Sequence, residues 1–347
     1  NEYLYEGATP FTNDLFSMKY QIYRPYDTKR TEFKLKESVG NVTVYKNTDQ
    51  TALAYAMDNL VKTWDYQDYN PFYVQNDLAM SAFDVDELFH MIETKKPKLN
   101  DCKITSDNGD GEYVFKNSAA DPDNMVFTIK SSKVRELYVH FDGSQVEHTV
   151  IEKNGEEILN GRLDSQIIYL GRQNKGDTIK IRMQLKQDDV MSGVVRLTAA
   201  ELDEDVMKEL AQRMQENAWE LTSAKGNQLN GTINAQEDKT LFFSIPYDKG
   251  WKVKIDGKAV KTKTLGKAFL TVKVPEGKHE VTLTYVSPGF KEGAVLSIVG
   301  FVIFLLILYL FRKKKISNIE QNSKENYDIL RKETLPQNIS GNNNKEE

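Results

Sequence analysis

Trp251–Val286 reads WKVKIDGKAVKTKTLGKAFLTVKVPEGKHEVTLTYV. Within it, Trp251–Ile255, Ala268–Val274 and His279–Val286 are rich in β-branched and aromatic residues and are set apart by the turn pairs Asp256-Gly257 and Glu276-Gly277. Trp251, Val253 and Ile255 alternate with lysines, so Trp251 is expected to be a core-facing strand residue. The pattern runs through Leu229–Ser287 and predicts a small antiparallel sandwich.

Beyond it, Gly293–Phe311 (GAVLSIVGFVIFLLILYLF) runs 19 residues without a charge. At about 1.5 Å per residue this covers close to 30 Å, the thickness of a hydrocarbon core, and the segment has no polar stripe of the kind a soluble helix shows. Arg312, Lys313, Lys314 and Lys315 follow the span directly, against Lys291 and Glu292 before it, so the C-terminus is expected in the cytoplasm and Asn1–Phe290 on the outer face. No leader resembling a signal peptide follows Asn1, and export of the outer part therefore implies an upstream signal or further membrane helices. The Asn-rich, charged tail after Lys315 has few large apolar groups and is expected to be disordered.

Towards the N-terminus, Asp203–Asn217 reads as a connecting helix: Asp203 can cap, Glu204 and Asp205 suit the positive end, and Val206, Leu210 and Met214 recur at helical spacing. Before it, Met125–Ser131, Glu136–Phe141, Thr178–Leu185 and Val194–Ala199 read as strands, and Asn154-Gly155 as the turn of a tight hairpin, since both residues accept positive φ. Short strands at this spacing predict another antiparallel sandwich. In residues 1–98, Thr12–Lys19 suggests a short helix capped at Thr12 or Asn13, Asn41–Lys46 a strand, and Asn76–Met91 a helix, while Thr51–Val61 fits helix or strand equally.

The expected fold is thus mainly β with some α: a mixed α/β region at 1–98, a β-sandwich at 99–202, a connecting helix at 203–219, a membrane-proximal sandwich at 220–290, a transmembrane helix at 291–311 and a cytoplasmic tail at 312–347. The single cysteine, Cys102, cannot form an internal disulfide and reads as a small buried apolar residue, so ordinary cores must hold the outer domains. With 46 basic and 51 acidic side chains the net charge is −5, and no basic stripe marks a nucleic-acid surface.

Catalytic motifs are not found in the sequence. His90, His140, His148 and His279 form neither an HExxH nor a Cys/His zinc pattern, and GxSxG, Walker A and GxGxxG are missing. The acidic turn Asp107–Glu112 resembles a calcium loop, but aligning Gly111 with the sharp turn puts Ser106 and Asn117 where Asp and bidentate Glu are needed, so a polar hairpin is the better reading. Asp121-Pro122-Asp123-Asn124 likewise reads as a turn. Trp64–Tyr73 (WDYQDYNPFY) is the one ligand-like cluster. Rings beside carboxylates can hold sugars, which makes Trp64, Asp65, Tyr66, Asp68 and Tyr69 candidate acceptor-binding residues; buried aromatics bridging two elements are the commoner use.

The stretches Phe243–Trp251 (FSIPYDKGW), Val253–Lys258 (VKIDGK), Ala268-Phe269, Val274–His279 (VPEGKH) and Leu283–Gly289 (LTYVSPG), leading into a terminal span, resemble the C-terminal end of YfhO-family bacterial proteins. Further matches are Asp14–Tyr20 (DLFSMKY), Val44–Asn47 (VYKN), Asn70-Pro71-Phe72 with Gln75-Asn76, and Tyr169-Leu170-Gly171 with Lys175-Gly176-Asp177. The resemblance implies the outer accessory region of a GT-C-like membrane glycosyltransferase that takes sugar from a polyprenyl-phosphate donor and passes it to a cell-envelope polymer such as teichoic acid. It places the catalytic acids in an N-terminal multi-helix membrane domain that this sequence does not contain. No cofactor is then expected in this chain, a divalent cation being a matter for the parent protein, and the expected partners are membrane lipid, the multi-helix domain, the sugar donor and the acceptor polymer, with no nucleic acid. The rival reading is a membrane-anchored, non-enzymatic carbohydrate-binding or adhesion module.

Overall fold

The structure is a computed structural model and describes residues 7–23, 33–48, 51–143, 145–163, 165–186 and 192–333. Residues 1–285 pack as one compact unit and 286–347 form a second. Among the described residues the first unit is mainly β, with two antiparallel sandwiches and a layer of helices.

The middle sandwich pairs a six-stranded sheet with a five-stranded one. Its strands show the alternation their sequences predict: in Thr178–Leu185 the residues Ile179, Ile181, Met183 and Leu185 are buried in turn. Asn154 and Gly155 do join Val146–Lys153 to Glu156–Gly161, with φ of 54° and 88°. The enclosed core runs from Phe115, Phe127 and Phe141 to Ile181 and Leu197.

The C-terminal sandwich packs a five-stranded sheet, which includes Gln228–Ala235, Trp251–Ile255 and Gly277–Tyr285, on a four-stranded one, which includes Lys263–Leu265, Phe269–Val274 and Lys239–Pro246. Asp256-Gly257 closes a hairpin with Lys258–Val260, whereas Glu276-Gly277 carries the chain from one sheet to the other. Val253 and Ile255 are buried, but Trp251 is only half-buried: it sits at the open end of the sheet with its ring on Tyr285, centroids 4.9 Å apart, instead of inside the core.

The fourth strand of the smaller sheet, Ala54–Met57, comes from the N-terminal region and pairs with Lys239–Pro246. All four of its residues are buried, and they alternate between two cores: Ala54 and Ala56 face the C-terminal sandwich, Tyr55 and Met57 the helical layer. A strand buried on both faces shows no polar alternation, which is why Thr51–Val61 is ambiguous in sequence. Phe89–Ile92 similarly pairs with Ser192–Leu202 of the middle sandwich.

The helical layer fills the space between these sheets. Helix α1 spans Pro10–Leu15 and starts earlier than Thr12, because Thr9 supplies a capping box with Thr12 and Pro10 takes the first turn, where no N–H is needed. Helix α2 spans Pro71–Phe83, again earlier than expected: the Asn70 side chain accepts from Phe72 N–H, and Asp84 ends the helix in the left-handed conformation, leaving the segment from Phe89 to form a strand. Helix α3, Glu204–Glu216, is capped by Asp203 as expected, and buries Met207, Leu210 and Met214. Cys102 is half-buried, and its Sγ donates to Asn124 O at 2.8 Å.

In the second unit, helix α4 spans Phe290–Glu333 and is long and apolar enough to cross a membrane. It does not stop at Phe311 but continues through the stretch expected to be disordered. Within Ile316–Glu333, Glu320/Lys324 and Asp328/Lys332 are spaced as stabilising i,i+4 pairs, and neither Gly nor Pro interrupts the run. The rest of the expected tail, 334–347, lies outside the described residues.

Candidate functional site

The cluster Trp64–Tyr73 does not stay together in space. Phe72 is fully buried against Phe89, ring centroids 5.1 Å apart, as a bridge between helix and sheet. Asp65 and Asp68 shape turns: their Oδ1 atoms accept from Gln67 N–H at 3.1 Å and Asn70 N–H at 2.7 Å. Tyr69 turns towards the middle sandwich, where its hydroxyl accepts from Asn108 Nδ2 at 3.1 Å and its ring centroid lies 5.8 Å from the Arg196 guanidinium. Of the five candidate residues, Trp64 and Tyr66 come together at one cleft.

That cleft, of about 630 Å³, lies against the four-stranded sheet. Trp64 is fixed by its indole N–H donating to Val74 O at 2.9 Å, and its ring centroid is 5.6 Å from that of Tyr66. The adjoining wall is the turn Leu265–Ala268, where Gly266 and Lys267 both have φ of 57°. A Cβ on Gly266 would lie 2.7 Å from Trp64 Cζ3, so glycine is required there by conformation and by the indole pressed against it.

Lys62, Lys261, Lys263, Lys267 and Lys273 line the same cleft, and among the described residues no carboxylate does. Lys267 Nζ stands 6.0 Å from the Tyr66 ring centroid, and Lys62 Nζ donates to Asn59 Oδ1 at 2.5 Å. Lys273 reaches Asp238 at 3.5 Å, while among the described residues Lys261 and Lys263 enter no ion pair. Partial desolvation, then the like charges of Lys263 and Lys273, hold the Lys62 ammonium below the ordinary lysine value. The cationic lining and the two rings suit an anion carried on a ring or chain that can lie along aromatic faces.

Tyr73 borders a different cleft of about 310 Å³, with Asp110 and Glu93. Burial, then Asp110, Glu87 and Asp68, push its phenol pKa up. The turns expected at Asp107–Glu112 and Asp121–Asn124 are turns. Gly109 N–H donates to Asp107 Oδ1 at 3.0 Å, Asp110 N–H to Asn108 Oδ1 at 2.9 Å, and Asn124 N–H to Asp121 O at 3.1 Å. Among the described residues, no group of three His, Cys, Asp or Glu converges to hold a metal ion.

The family model of the bacterial membrane protein YfhO matches residues 1–297. The chain belongs to the YfhO family. A stretch of 88 residues, 25% of this YfhO-family chain, is 36% identical to the uncharacterized protein YfhO of Bacillus subtilis (strain 168) and covers 10% of that relative. Among solved structures, the GH26-CBM35 β-(1,4)-mannanase of Podospora anserina matches with a TM-score of 0.24 and 10% identity over 33% of this chain and 28% of its own. The conserved protein PA5104 of Pseudomonas aeruginosa PAO1 matches at 0.17 and 9% over 56% of this chain and 93% of its own. Likenesses this slight carry no weight for fold or site.

The lysines of the cleft are the lining residues that sequence reading passes over. One signal was there: Lys258–Lys273 (KAVKTKTLGKAFLTVK) holds five lysines and no carboxylate. What sequence spacing does not give is that Lys62, Trp64 and Tyr66, some 200 residues earlier, close the other side of this YfhO-family cleft.

Proposed function

We propose that this chain is the outer-face accessory region of a YfhO-family membrane glycosyltransferase, and that it holds the anionic envelope polymer to which sugar is passed. The observation that carries the reading is the cleft of five lysines and two aromatic rings, without a lining carboxylate among the described residues. Lysine ammonium groups would donate to phosphodiester oxygens, and Trp64 and Tyr66 would stack on the C–H faces of sugar or polyol units. Membership of a membrane-protein family and the four cations after the span support an outer-face position for residues 1–285. Transfer itself belongs to the parent protein's membrane domain and its polyprenyl-phosphate donor, so the part described here is a holder of acceptor, with teichoic acid as the polymer of fitting charge.

The test is calorimetric titration of the detergent-solubilised chain with a glycerol-phosphate polymer. Lys263→Gln/Lys273→Gln should weaken binding about tenfold or more, equivalent to about 1.4 kcal/mol, and Trp64→Ala should also weaken it. Unchanged binding in both variants would remove the cleft from the acceptor site.

A further inference from the structure

Three segments meet at one end of the C-terminal five-stranded sheet. Tyr285 N–H donates to Asn227 O at 2.9 Å and Asn227 Nδ2 donates to Tyr285 O at 2.7 Å, which ties the Gly226-Asn227 turn to the end of the last strand. The Tyr247–Gly250 loop closes the third side, Gly250 N–H donating to Asp248 Oδ1 at 2.6 Å. Together they surround a cleft of about 550 Å³ whose apolar lining includes Leu229, Ile245, Pro246, Trp251 and Tyr285. Tyr247 beside it is 37% exposed, and Lys225, Lys249 and Lys252 are exposed around it. Rings with an apolar body and a polar edge, mixed with long-stemmed cations, are the side chains that settle at a membrane–water boundary.

The covalent chain supplies a second, independent argument. Five Cα steps from Tyr285 to Phe290 reach at most about 18 Å, and the uncharged run begins at Gly293. A bilayer carries a headgroup layer roughly 5 to 7 Å deep on each side of its core. Once the helix spans the membrane, this end of the sheet is tethered within reach of the headgroups. A saccharide occupant is less well served, because Asn227 and Asp248 already spend hydrogen bonds on the local backbone.

We propose that this end of the sheet docks on the membrane surface, with Tyr247, Trp251 and Tyr285 at the headgroup boundary and Lys225, Lys249 and Lys252 on anionic lipid phosphates. The proposal is independent of the polymer reading and rests on the span and this patch.

The test uses the full chain reconstituted into phosphatidylcholine vesicles with or without phosphatidylglycerol. In a Cys102→Ser background, Tyr247→Cys or Lys258→Cys carries a fluorophore. Lys258 is exposed and lies beyond the far end of Trp251–Ile255, so it reports the opposite end of the same sheet. Lipid bearing a nitroxide near its headgroup should quench the label at 247 several-fold more than that at 258. The excess should grow with phosphatidylglycerol and shrink in Lys225→Gln/Lys249→Gln/Lys252→Gln. Equal quenching at the two positions, or a 247 signal blind to both phosphatidylglycerol and the lysine substitutions, overturns the proposal.

Discussion

The middle sandwich and the cleft of the C-terminal sandwich both gather cations, and they handle them oppositely. On the middle sandwich Arg196 lies between Glu112 at 2.7 Å and Asp142 at 2.8 Å, Lys133 and Arg135 share Glu201 at 2.6 and 3.3 Å, and Arg172 reaches Glu136 at 2.7 Å and Glu204 at 3.0 Å. In the cleft, five lysines face the same space with no lining carboxylate among the described residues, and Asp238 pairs with Lys273 from beside it. Charges that neutralise one another locally hold strands together and leave little field outside. Unbalanced charges add nothing to the fold and leave a field that draws an anionic ligand.

The comparison is broken most severely by pH. His140 lies buried on the middle sandwich beside Thr198 of the neighbouring strand, and burial outweighs the help of Asp142, while Arg196 opposes protonation, so its pKa falls from 6.5 to about 4. The depressed folded-state value means that the unfolded chain takes up the proton first. Stability from neutral His140 is therefore whole above about pH 6.5 and is lost as the pH falls towards 4, amounting to about 3 kcal/mol at 1.36 kcal/mol per unit. His90 and His279 act with the opposite sign: their pKa values are raised in the fold, so what they contribute is whole below about 6.5 and fades as the pH rises through those raised values. Denaturant midpoints measured from pH 7 to pH 4 should fall, and His140→Gln should flatten the fall.

A smaller effect separates paired from unpaired cations directly. Arg196→Leu leaves the half-buried Glu112 and Asp142 facing one another and should cost about 1 to 3 kcal/mol, read as a lower denaturation midpoint, with polymer binding unchanged. Lys263→Gln/Lys273→Gln should shift stability by no more than about 0.5 kcal/mol, with a slight gain from relieved repulsion. A large loss in that variant would mean that the cleft lysines serve the fold, and the contrast between the two regions would fail.

Where one face of an element meets solvent, the fold was legible in the sequence. Thr178–Leu185 alternates as it must, Asn154-Gly155 turns as it must, and Asp203 caps the connecting helix. Legibility fails where both faces are buried, as in Ala54–Met57, and where a cap lies outside the apolar repeat, as with Thr9-Pro10 and Asn70-Pro71. The candidate site was half legible. Trp64 and Tyr66 were found as aromatics, but the turn bonds of Asp65 and Asp68 and the start of α2 at Pro71 separate them from Tyr69. The lysines that give their cleft its charge lie on strands distant in the chain.

The most direct measurement is a pair of titrations on the wild-type chain with one glycan carrying phosphate groups and the same glycan without them, repeated at rising salt. Binding of the phosphorylated form alone, weakening steadily with salt and by about tenfold or more in Lys263→Gln/Lys273→Gln, is the expected result. Equal affinity for the neutral glycan, or binding indifferent to salt and to the two lysines, would contradict an anion-holding cleft.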